Sequence, residues 1–87
     1  MKISQLPKFI KAYKKLYANQ LDPVEDAIET IFDNPTIGTE KKGDLTGVRV
    51  YKFKVLDQEF LLAYKIVEDT IILCALGTHE NFYRDMK

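Results

Sequence analysis

The strongest constraint on what this chain can fold into is a change of hydrophobic period near residue 47. Upstream, Phe9, Ile10, Tyr13, Leu16 and Tyr17 recur at i, i+1, i+4, i+7 and i+8, the stripe of an amphipathic helix. Downstream the period is two: Val48–Leu56 sets Arg49, Tyr51, Phe53 and Val55 on one side of a strand and Val50, Lys52 and Lys54 on the other. Helices followed by strands imply a helical layer packed on a sheet, not an alternating parallel fold.

The remaining elements follow from local punctuation. Asn19-Gln20-Leu21 reads as a short connection, and Asp22-Pro23-Val24-Glu25 as a helix start with an N-cap acceptor, a first-turn proline and a glutamate three residues on. Val24, Ala27, Ile28, Ile31 and Phe32 form that helix's apolar stripe, and Asp33-Asn34-Pro35 ends it. Two helices so closely joined pack as an antiparallel hairpin. Residues 35–47 are a polar, glycine-punctuated loop. Beyond Val48–Leu56, a turn at Asp57-Gln58-Glu59 leads to strand Phe60–Val67, and Glu68-Asp69 turns the chain into strand Thr70–Leu76. Asn81–Lys87 is expected as a short helical or frayed tail. The expected fold class is therefore α+β: an N-terminal antiparallel helical hairpin packed on an antiparallel three- to four-stranded β-meander, as one domain over residues 1–87.

Composition narrows the function classes. The apolar runs Phe60–Tyr64 and Ile71–Leu76 fall far short of the roughly 20 residues that span a bilayer. Lys8, Lys11, Lys14 and Lys15 interrupt the first apolar-rich stretch, so no secretory leader is read there. The single Cys74 sits inside an apolar run and reads as a small buried hydrophobe, with neither a disulfide nor a metal site implied. No cofactor or metal is expected, and the expected compartment is a reducing cytoplasm. Net charge is zero, which argues against indiscriminate nucleic-acid binding. It is unevenly spread: residues 1–21 carry five lysines and no acid, whereas residues 22–44 carry seven acids against Lys41 and Lys42. The helix lysines read first as a solvated face, and second as contacts to RNA phosphates.

The residues that can carry chemistry gather at the end of the last strand. Leu76-Gly77-Thr78-His79-Glu80-Asn81-Phe82-Tyr83-Arg84 brings the only histidine, a tyrosine and an arginine to one end of the sheet. Imidazole is the side chain whose charge ordinarily changes between about pH 5 and 8, so His79 is suited to moving protons. Lys52 and Lys54 share a sheet face about 6.6 Å apart along the strand, a spacing that suits adjacent phosphates or a solvated face. Arg49 lies on the opposite face and reads first as a loop anchor, second as a substrate contact.

Taken in order, these segments resemble the RelE/ParE superfamily of bacterial toxin–antitoxin toxins. The matching pieces are Asp33-Asn34-Pro35 closing the hairpin, Gly43-Asp44-Leu45-Thr46-Gly47-Val48-Arg49, Tyr51-Lys52-Phe53-Lys54, Leu62-Ala63-Tyr64, and Leu76-Gly77 followed by His79 and Tyr83. The Gly-Thr-His-x-x-x-Tyr ending is similar to the YafQ branch. The resemblance implies a type II toxin that cleaves mRNA in a ribosome-dependent, metal-independent manner. It implies His79, Tyr83, Lys52 and Lys54 as catalytic residues: His79 as general acid or base, Tyr83 to stack on or orient a base, and the lysines to balance phosphate charge. Arg49, Arg84 and Lys87 are the implied substrate-binding cations. The implied partners are a cognate antitoxin protein, the ribosome and mRNA, with no membrane involved.

The chain also departs from the pattern. Leu61 stands where many RelE-type nucleases have an arginine, and His79 has no upstream histidines to assist it. The superfamily's first strand is reduced to Met1–Ser4, and the net charge is neutral where many ribosome-acting members are basic. These departures keep a second reading open, a ParE-type non-nuclease toxin that poisons DNA gyrase, and a third, a degenerate member that only binds antitoxin.

Overall fold

A computed structural model of the chain describes residues 1–41, 47–80 and Phe82. In chain order the elements are β1 (Lys2–Gln5), α1 (Pro7–Lys14), α2 (Ala18–Asp33), β2 (Thr39–Glu40), β3 (Arg49–Val55), β4 (Gln58–Val67) and β5 (Thr70–Thr78). The strands make one sheet in the order β1-β5-β4-β3-β2.

The meander β3–β4–β5 is antiparallel, as its tight turns require. Two edge strands extend it. β2, within the segment read as loop, pairs antiparallel with Arg49 and Val50 only. β1 pairs parallel with β5, from Lys2 opposite Thr70 to Gln5 opposite Leu73, so the sheet is mixed. Alternation and turn signals identify strands that pair with their sequence neighbours, whereas β1 pairs with the strand farthest along the chain.

Both helices lie on one face of the sheet, α1 over β5 and α2 over β3. Pro7, with no N–H to give a ladder, ends β1 and opens α1, while Leu6 before it is held extended. Phe9 is buried, with Ala12, Tyr13 and Leu16 packed beside it. The Tyr13 hydroxyl donates to Glu25 Oε2 at 3.0 Å and ties the helices together. α2 starts at Ala18, four residues before the start suggested by Asp22-Pro23, so Pro23 falls inside the helix. Gln20 Oε1 accepts from the Tyr17 N–H at 2.8 Å and fixes this earlier start. Tyr17, expected on the first helix's apolar stripe, is instead the exposed residue that precedes α2.

The continuous apolar run of β4 is buried on both sides, which explains why it does not alternate in hydropathy. Phe60, Leu62 and Tyr64 join Phe9, Val24, Ile31, Val55, Ile71, Leu73 and Leu76 beneath the helices. Leu61 and Ala63 turn the other way, to Val48, Val50, Cys74, Ala75 and Phe82. The register between β4 and β5 slips at Ala63/Tyr64, leaving Cys74 without a partner opposite. That bulge lets Cys74 and Ala75, adjacent in sequence, serve the same cluster.

The β3–β4 turn, Leu56-Asp57, is tighter than the sequence suggests, whereas the β4–β5 turn is the expected Glu68-Asp69; Leu56 and Glu68 adopt φ of 58° and 56°. A non-glycine residue in this left-handed region costs about 1–2 kcal/mol. Leu56 is 64% exposed and contributes little packing in return. Leu56→Asn is therefore expected to stabilise the fold by about 1 kcal/mol, because asparagine tolerates this conformation. Thermal unfolding should then shift upward by about 4–8 °C, and a lowered midpoint would contradict the assignment.

Candidate functional site

Tyr64 carries a phenol into an otherwise apolar strand, and its hydroxyl requires partners because the residue is fully buried. The loop after α2 supplies them: the hydroxyl donates to the Pro35 carbonyl at 2.7 Å and accepts from the Gly38 N–H at 2.9 Å. Burial raises the phenol's pKa, opposed by the Gly38 N–H and the Arg49 charge. Gly38 is required for this approach, since a Cβ there would stand 2.8 Å from the Tyr64 hydroxyl. Arg49 holds the same loop, donating to the carbonyls of Gly38 at 2.8 Å and Thr36 at 3.3 Å. Its other terminal nitrogen lies 3.7 Å from Glu40. This clamp stands β2 beside β3.

The consequence is a cleft of about 360 Å³ on the sheet face opposite the helices. Ile37, Thr39 and Lys41 form its outer wall, Val50 and Leu61 its floor, and Lys52 and His79 its remaining sides. The registers explain this grouping. Lys52 is opposite Leu61, which is opposite Gly77 across β5. One row further, Lys54 is opposite Glu59, and His79 Nε2 lies 4.0 Å from Glu59 Oε1.

The structure thus brings Lys52 and His79 to one cleft, with both side chains accessible to solvent. Lys54 does not line it and borders the crevice under α2 that holds Asp22 and Asp26. Arg49 is committed to the loop carbonyls. Tyr83, Arg84 and Lys87 lie outside the described residues, as does all of the expected tail helix except Phe82. Leu61 is 2% exposed and forms the apolar floor. Among the described residues no three His, Cys, Asp or Glu side chains gather in a metal-binding arrangement. The sequence points to Arg49 as a loop anchor, which its bonds to Thr36 and Gly38 match, but not to the Tyr64 hydroxyl's hold on Pro35 and Gly38 or to the wall formed by Thr39 and Lys41. A lone phenol inside a buried strand was the signal for the first.

Tyr64→Phe should cost about 1–3 kcal/mol by orphaning the Pro35 carbonyl and the Gly38 N–H. The folded pKa of Tyr64 is raised, so its contribution is complete below the unfolded value near 10 and is lost as pH rises through the folded value. The alkaline decline in stability should accordingly be shallower in Tyr64→Phe than in the parent. Denaturant titrations at neutral and alkaline pH measure both effects, and an unchanged neutral stability would contradict the clamp.

Comparison with known proteins follows the geometry. A family model described as a ParE-like toxin of type II bacterial toxin-antitoxin systems matches residues 3–87. The fold is similar to a chain of the intact E. coli RelBE toxin–antitoxin complex, at a TM-score of 0.69 and 15% identity over 87% of this chain and 93% of that one. It is also similar to a YoeB/ParE toxin from Agrobacterium tumefaciens, at 0.67 and 16% over 91% and 99% of the two chains. YafQ from E. coli strain BL21(DE3) gives 0.65 and 16% over 91% and 93%. At these identities the likeness is one of fold. No protein of curated function matches the chain.

Proposed function

The chain belongs to the ParE-like toxins of type II bacterial toxin–antitoxin systems, and from that premise we propose that it arrests translation as a ribosome-dependent, metal-independent mRNA endoribonuclease. The observation that carries this reading is the meeting of Lys52 and His79 in one solvent-open cleft.

RNA cleavage of this class transfers the phosphoryl group to the neighbouring 2′-oxygen. The 2′-oxygen bonds to phosphorus and gives up its proton, the bond to the 5′-oxygen breaks, and that oxygen gains a proton. The products are a 2′,3′-cyclic phosphate and a 5′-hydroxyl. His79 is exposed enough to reach one of these oxygens, and Glu59 at 4.0 Å is placed to orient a protonated imidazole. Lys52 offsets the charge that grows on the phosphoryl oxygens. Lys54, one row away, would hold a neighbouring phosphate. Tyr83 is proposed to stack on a base, with Arg84 and Lys87 on the adjoining backbone. Arg49 supports the site by holding its outer wall. The proposed protein partner is a cognate antitoxin.

His79→Ala should reduce cleavage about 10²–10⁴-fold without unfolding the protein, because the side chain is 56% exposed. Lys52→Ala should cost more activity than Lys54→Ala, since only the former lines the cleft. Inducing each variant in a bacterial cell and mapping mRNA 5′ ends by primer extension tests both. New ends at ribosome-occupied codons that persist in His79→Ala would refute the assigned chemistry. The buried Leu61 at the cleft's centre and the zero net charge favour a second reading, a ParE-type gyrase poison. That reading predicts growth arrest with no new ends, insensitive to His79→Ala.

A further inference from the structure

The helical layer is electrically polarised. α1 and its C-cap carry Lys8, Lys11, Lys14 and Lys15 and no acid, whereas α2 carries Asp22, Glu25, Asp26, Glu29 and Asp33 and no cation. α1 lies over β5 and α2 over β3, with β4 between those strands, so the two charges stand on opposite flanks of one layer. Lys11, Lys15, Asp22 and Asp26 are exposed, and no ion pair among the described residues engages them.

The acidic flank is also concave. A crevice of about 320 Å³ lies between α2 and β3, with Asp22 and Asp26 on its helix side. Pro23, Tyr51 and Phe53 make its interior apolar, and the Tyr51 and Phe53 rings stack with centroids 5.7 Å apart. Of the lining residues only Lys54 is a cation, against two carboxylates.

We propose that this crevice receives the lysine face of α1 from a second copy of the chain, so that copies associate head to tail. Opposite charge and matched spacing identify the occupant. Lys11 and Lys15 are four residues apart on α1 and its C-cap, and Asp22 and Asp26 are four apart on α2. Residues so spaced stand about 5–6 Å apart on one helix face, so two ion pairs form together. The lysine stems lie on the stacked rings while their ammonium groups meet the carboxylates. A phosphate backbone is repelled from this flank by the same carboxylates. The patch on one copy differs from the patch it meets on the next, so the contact is heterologous and extends as an open row. A contact this small is weak and reversible. It uses neither Lys52 nor His79, whose cleft lies on the other face of the sheet, so every copy in the row keeps an open cleft.

Sedimentation equilibrium of the full chain tests the proposal. At low ionic strength the weight-average mass should rise with concentration and pass two copies without a plateau. In about 0.5 M salt it should return to that of a monomer, because exposed ion pairs are screened. Lys11→Glu/Lys15→Glu makes both flanks acidic and Asp22→Lys/Asp26→Lys makes both basic, so each variant alone should stay monomeric. An equimolar mixture of the two should associate again, since every flank then meets its opposite. Glu68→Lys/Asp69→Lys makes the same change of charge in the β4–β5 turn, outside the crevice, and should leave association nearly unchanged. A parent chain that is monomeric at every concentration, even one whose crevice binds an arginine-rich peptide, would overturn the proposal. So would a mass that stops at two copies, an equal loss in Glu68→Lys/Asp69→Lys, or a mixture that stays monomeric.

Discussion

The five consecutive buried side chains of β4, Phe60 to Tyr64, impose the arrangement of everything around them. Successive residues face opposite sides of a strand, so such a run needs an apolar cover on both faces. The two helices supply one cover, through Phe9, Val24 and Ile31. The other is thinner: Val48, Val50, the bulged Cys74–Ala75 pair and Phe82. A thin cover leaves room on that face, and the candidate cleft occupies it.

The same strand positions the cleft at a distance. Tyr64 ends the run with a hydroxyl that binds the loop carrying β2, and Arg49 of β3 binds that loop from the neighbouring strand. The outer wall therefore depends on a hydrogen-bonded clamp rooted in the core, while Lys52 and His79 sit on the solvent side. Rigid support with accessible reacting groups is the division of labour that a site for a large substrate requires. Leu61 makes the floor apolar, so within the cleft the proposed chemistry depends on Lys52 and His79.

Much of this was legible in the sequence, for identifiable reasons. The change of period located the helical layer and the three meander strands, because helix and strand faces repeat at different intervals. Arg49 was legible as a loop anchor from its place on the aromatic side of β3. Three features were not legible. The start of α2 was displaced because Gln20 satisfies the Tyr17 N–H, outweighing the cap that Asp22-Pro23 advertises. The parallel pairing of β1 leaves no local signal, since its partner is remote and its residues are exposed. The separation of Lys52 from Lys54 follows from β2 ending beside Val50, so that only the nearer lysine gains a wall opposite it.

The central claim is that the Lys52–His79 cleft cleaves RNA, and purified components test it most directly. The protein would be added to ribosomes programmed with a defined, end-labelled mRNA, with gyrase and supercoiled plasmid in a parallel reaction. The account predicts ribosome-dependent fragments ending in 2′,3′-cyclic phosphate and 5′-hydroxyl, lost in His79→Ala. Intact mRNA, together with gyrase-dependent DNA breaks by both proteins, would contradict it.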